Sequence, residues 1–158
     1  MPNYIAPLED MMFLFNKLRN NEKYNEIEKY KEVNTELVKD ILDEAAKITQ
    51  NLILPLAKSG DETPAVLENG VVRTPPGYKE AYQKFIEDGW ISLSCDPKYG
   101  GQGMPKTVST FFDEMLSSAS LSFKLYSELT IGAYNCLLRH ADDEIKNTYL
   151  PKMVEGKW

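Results

Sequence analysis

The stretch from about Ser118 to Arg139, SASLSFKLYSELTIGAYNCLLR, constrains this chain more than any other. On a helix, Leu121, Leu125, Leu129, Gly132 and Cys136 fall in one narrow stripe, and Phe123, Tyr126, Thr130, Ala133, Tyr134 and Leu137 cover much of the remainder. A helix apolar on nearly every side is disfavoured at a surface, so the pattern predicts a central helix.

Two residues interrupt it. Glu128 projects into the Leu125/Leu129/Gly132 stripe, and Gly132 sits where alanine would be better by roughly 1 kcal/mol. Glycine at such a position implies a close approach to the helix backbone, by another helix or by a ligand. The plainer alternative is a tight helix crossing, with Glu128 paired to Lys124 one turn back.

A chain of 158 residues suffices for one domain with a genuine core. Acidic residues outnumber basic ones, 24 to 18, and no basic stripe stands out, which argues against a nucleic-acid partner. No apolar run approaches the ~18 residues of a membrane span, and the opening MPNYIAPLEDMMFLF lacks the marks of a signal peptide. Cys95 and Cys136 lie far apart without metal-ligand spacing and read as two buried thiols. The expectation is a cytoplasmic protein with no membrane partner.

The chain in order predicts helices and one ribbon. Pro7 disfavours helix at Ala6, and Leu8, Met11, Met12, Phe15 and Leu18 then recur at helical spacing. A polar surface connection leads to a helix capped at Thr35, with Val38, Ile41, Leu42, Ala45, Ile48, Leu52 and Ile53 on its apolar face. Pro55 is expected to kink or end it, and Gly60-Asp61 to break the chain. Asn69-Gly70 between β-formers signals a hairpin, expected to rest on the helices because a lone ribbon is marginal.

A further helix carries Tyr78, Ala81, Tyr82, Phe85 and Ile86 and stops at Gly89. After the loop from Trp90 to Pro105, the next helix buries Val108, Phe111, Phe112 and Met115. The last begins near Asp142, with Ile145, Tyr149 and Leu150 inward and Pro151 mid-pattern. The fold class is therefore all-α, an up-and-down bundle of five or six helices with a small β-hairpin insertion.

Local chemistry is sparse. GGQG in the Tyr99–Pro105 loop follows no buried strand and precedes no Lys-Ser/Thr pair, so loop geometry and close approach to a neighbouring helix explain it better than a phosphate site. His140 is the only histidine and reads as a helix-end residue, and no spacing points to a metal. Glu128 alone is a candidate: a carboxylate in an apolar stripe is either pushed up in pKa by desolvation or partnered. From the residues alone, the reading stops at a helical domain with an apolar cleft.

The ordered segments YIAPLEDMMFLF, ILDEAAKITQNLILPL, GVVRTPPGYKEAYQKFIEDGW, PKYGGQGMP, DEMLSSAS, LTIGAY and YLPKMVEGKW resemble the N-terminal helical domain of the acyl-CoA dehydrogenase family. The Y-x-APL-x-DM opening and the Asn-Gly insertion are similar to the extended subgroup that oxidises 3-methylmercaptopropionyl-CoA, in dimethylsulfoniopropionate demethylation. The resemblance implies α,β-dehydrogenation of a CoA thioester with FAD as cofactor, an electron-transfer flavoprotein as acceptor, and assembly into dimers or tetramers. It divides the chain into a 1–34 extension bearing a short helix and a 35–158 helical domain.

Members of that family continue into a flavin-contacting T-E-P-x-A-G-S/T-D segment and carry the catalytic glutamate in a C-terminal bundle. This chain stops at Trp158, ahead of both, so it is expected to be a shortened piece, inactive alone, without FAD contacts or a catalytic residue, and self-associating through an uncovered apolar face. Alignment through YLPKM gives acyl-pocket positions at Leu125, Glu128, Leu129 and Gly132. The alternatives are a non-catalytic helical interaction module that retains the fold, and a stand-alone binder of acyl groups.

Overall fold

The computed structural model describes residues 4–18 and 22–158; expectations that fall on 1–3 and 19–21 lie outside the described residues. Its helices are α1 (Leu8–Phe13), α2 (Glu22–Asn25), α3 (Thr35–Ile48), α4 (Leu54–Glu62), α5 (Tyr78–Glu87), α6 (Lys106–His140) and α7 (Asp143–Val154). One antiparallel hairpin, β1 (Val66–Glu68) with β2 (Val71–Arg73), joins α4 to α5. The fold is the all-α bundle with a hairpin insertion that the periodicities predict.

Asn34, not Thr35, caps α3, accepting 2.9 Å from the Leu37 amide. The chain then passes through a π-helical turn, Thr49–Ile53, straight into α4, with Pro55 in the first turn of the new helix. Pro55 has no N–H to donate, and the wider turn before it accommodates that loss without leaving helical dihedrals. Gly60 does not break the chain: it lies inside α4, where a Cβ would run into the Tyr78 phenol. A ring passing close to the helix, not a turn, accounts for the glycine.

The hairpin turn is as the Asn-Gly pair demands, with Asn69 at φ 50° and Gly70 at φ 78°. It does not rest on the helices, however, since all six strand residues are exposed.

Segments far apart in sequence share one core. Met11 and Phe15 pack with Val38, Leu42 and Ala45 of α3, with Phe85 of α5 and with Val108, Phe112 and Met115 of α6. A second, smaller cluster joins Cys95 and Tyr99 of the long loop to Tyr134 of α6 and to Leu150 and Val154 of α7. In α7 the buried pair is thus Leu150 and Val154, one turn apart. Ile145 and Tyr149, expected inward, are exposed, and Tyr149 packs instead on Trp158 with ring centroids 5.6 Å apart.

Candidate functional site

The helix predicted from Pro105 and the one predicted from Ser118 are a single element, α6, with one interruption at Ser120 (φ −160°, ψ 96°). The first arm, Lys106 to Ala119, drives Val108, Phe111, Phe112, Met115, Leu116 and Ala119 into the core. The second arm buries only Phe123, Ser127 and Tyr134. Its opposite side carries the predicted stripe into the open: Leu121 is 56% exposed, Leu125 50% and Leu129 77%.

The expectation of a wholly central helix is therefore corrected. Other elements cover one side of the second arm, and the leucines on the other side stay half or more exposed.

Gly132 lies on that open side. A Cβ built there meets nothing within 4 Å, so among the described residues neither a helix crossing nor any other neighbour requires the glycine. Glu128, also exposed, is ion-paired to Lys124 at 3.1 Å, the i,i+4 partner anticipated from the spacing. Leu125, Glu128, Leu129 and Gly132 thus share one open helical face, which Cys136 extends by a further turn. The two cysteines are not alike: Cys95 is buried and Cys136 exposed.

The loop after α5 is folded tightly on itself. Gly100 and Gly103 adopt left-handed dihedrals, and a Cβ on Gly101 would strike the Cys95 carbonyl. The close approach is to the loop's own backbone and not to a helix. The amides of Gly100, Gly101, Gln102, Gly103 and Met104 all donate to carbonyls between Ser92 and Pro97, at 2.9–3.1 Å, leaving none for a phosphate.

Where the second arm is buried, Tyr134 anchors it to this loop. The Asp96 amide donates to its hydroxyl at 2.8 Å. Burial pushes the Tyr134 hydroxyl up to about 12, against the pull of that hydrogen bond. Burial likewise pushes the Cys95 thiol up to about 11, opposed by its hydrogen bond with Tyr134. Such a thiol is an inert packing group, not a nucleophile.

His140 is exposed in the last turn of α6. No group of three metal-ligating side chains occurs among the described residues, and no described helix is long and apolar enough to cross a membrane.

Residues 35–157 match the acyl-CoA dehydrogenase N-terminal domain. The chain is 37% identical to 3-methylmercaptopropionyl-CoA dehydrogenase of Ruegeria pomeroyi over 155 residues, 98% of this chain and 26% of that protein. This chain belongs to the acyl-CoA dehydrogenase family. It is also 28% identical over 160 residues to butyryl-CoA dehydrogenase of Syntrophomonas wolfei, 99% of this chain and 26% of that protein. A short/branched chain specific acyl-CoA dehydrogenase of rat mitochondria shares 30% over 112 residues, 70% of this chain and 23% of that protein. The chain thus spans about a quarter of the length of these relatives.

Within the acyl-CoA dehydrogenase frame, two features of the second arm escaped the sequence reading. One is the break at Ser120; the other is the pair of hydroxyls, Ser122 and Tyr78, beside it. The serine run at 117, 118, 120 and 122 was the available signal, because serine competes with the helix for backbone donors.

Proposed function

We propose that this chain is the N-terminal helical part of an FAD-dependent acyl-CoA dehydrogenase, and that the open face of the second arm of α6 forms a wall of its acyl pocket. The observation that carries this is the combination of an exposed apolar stripe with a mid-helix glycine that none of the described residues requires. Gly132 is costly to the helix and unneeded by the packing of the described residues, so its use lies in the space it leaves for something outside.

In this reading Leu125 and Leu129 meet the acyl chain, each buried methylene contributing about 0.8 kcal/mol. Lys124 keeps the Glu128 carboxylate partnered beside the apolar wall. Gly132 admits the bulkier end of the ligand. The boundary proposed for the family domain is residue 35, with 1–34 as an extension that packs into the same core through Met11 and Phe15.

FAD would take the hydride in this class of reaction, and an electron-transfer flavoprotein would collect the electrons. The GGQG loop gives the flavin's pyrophosphate no cradle, since its amides are consumed internally, so the proposal assigns the flavin to residues outside this chain. Identity to the Ruegeria enzyme favours 3-methylmercaptopropionyl-CoA or a similarly short thioester as substrate. A homodimer or homotetramer in the cytoplasm completes the proposal.

The test is Gly132→Leu in the full-length protein. Turnover of the acyl-CoA should fall at least about a hundredfold, as expected when a reactant is displaced by a side chain, with bound flavin unchanged. Unchanged kinetics would remove the pocket assignment. Absence of both flavin and turnover in the parent protein would favour a non-catalytic helical module.

A further inference from the structure

The second arm of α6 is not a continuation of the first. Ser120 is extended, and its Oγ accepts from the Phe123 amide at 3.3 Å, three residues on, as an N-cap does. The stripe-bearing arm is a fresh helix whose direction is set at its start.

A line of hydroxyls leads away from that start. Ser120 Oγ lies 3.2 Å from Ser122 Oγ, and Ser122 Oγ lies 2.7 Å from the Tyr78 hydroxyl. Tyr78 donates in turn to the Leu56 carbonyl of α4 at 3.4 Å. One polarity satisfies every member with a single proton each: Phe123 N–H to Ser120, Ser120 to Ser122, Ser122 to Tyr78, Tyr78 to the carbonyl. Tyr78 itself is 2% exposed. Its ring is fixed from both sides, at 5.9 Å from Phe123 and 5.7 Å from Tyr126 on the second arm, while Gly60 leaves room for it in α4.

We infer that Tyr78 is a positioning residue for the acyl pocket. Through Ser122 and Ser120 it ties the start of the second arm to α4, and so sets where Leu125, Leu129 and Gly132 stand. The acyl length that the wall accepts then depends on a phenol that touches no ligand. This inference rests on the pocket reading above.

The experiment compares kcat/KM for butyryl-CoA and octanoyl-CoA in the full-length protein and in Tyr78→Phe, which keeps the ring and removes the hydroxyl. Ser122→Ala, at an exposed position, interrupts the same line and serves if Tyr78→Phe does not fold. Both should change the ratio between the two substrates about tenfold, mainly through KM, with kcat on the preferred substrate nearly constant; a methylene of pocket space is worth that much. Met11→Ala, which loosens the core where α1 packs on α3, controls for simple destabilisation and should leave the ratio alone.

An unchanged ratio in Tyr78→Phe or Ser122→Ala, or an equal change in Met11→Ala, overturns the inference. If Gly132→Leu has abolished turnover, only the role of Tyr78 falls. If Gly132→Leu turns over normally, the pocket reading falls and this inference with it.

Discussion

The two arms of α6 have similar appetites for burial and opposite fates. Lys106 to Ala119 places six apolar side chains in the core, among them Val108 and Met115 at 0% exposure. Leu121 to His140 contains more of them, yet leaves Leu121, Leu125 and Leu129 half or more exposed. Singly exposed leucines are ordinary, but three in register along one helical face, with a glycine notch in line, make a contiguous patch. Apolar periodicity therefore reports that a face is to be covered, and is silent on what covers it.

Stability measurements should separate the arms most sharply. Phe112→Ala in the first arm, beneath Trp90 at 4.7 Å and Phe85 at 6.0 Å, should cost about 3–5 kcal/mol in denaturant unfolding. Leu129→Ala in the second should stay within about 0.5 kcal/mol. Comparable losses would mean that the exposed face is packed after all.

The anchor that does hold the second arm down should loosen in alkali. Cys95 and Tyr134 have folded pKa values raised above their ordinary ones, so the unfolded chain loses these protons first. Their contribution is intact below about pH 9, declines as pH rises, and is gone once the folded values of about 11 and about 12 are passed. Unfolding midpoints measured from pH 8 to 11 should fall, and Tyr134→Phe with Cys95→Ala should flatten that fall. A slope unaltered by the pair would place the alkaline loss elsewhere.

The smallest effect belongs to Lys124 and Glu128. A double-mutant cycle should give about 0.3 kcal/mol or less, because the pair is partly exposed and runs in the weaker order along the helix, lysine before glutamate. A coupling above about 1 kcal/mol would mean that something screens the pair from solvent and that the face is less open than described.

Much of the fold was legible in the residues because the responsible forces are local. Asn69-Gly70 admits one kind of turn, Asp142 one kind of helix start, confirmed by its 2.9 Å bond from the Ile145 amide, and Gly89 one kind of stop, at φ 77°. What went unread depended on partners distant in sequence. Gly60 looks like a break until Tyr78 is seen against it, and Pro55 looks like a kink until a π-turn accommodates it. The inward face of α7 is Leu150 and Val154 only because Tyr99 and Tyr134 arrive from elsewhere. The candidate residues lie on the helix and face that spacing assigns to them, but that this face is open, and that no described residue approaches a Cβ at Gly132, emerged only from the folded arrangement.

The most direct test of the central claim follows thiol labelling of Leu129→Cys in full-length protein carrying Cys136→Ser, with and without an acyl-CoA analogue that cannot be oxidised between its α and β carbons. If the open face of the second arm is an acyl wall, saturating analogue should slow labelling at least about tenfold, as occupancy of a closed pocket requires. Equal labelling rates with and without the analogue bound would contradict it.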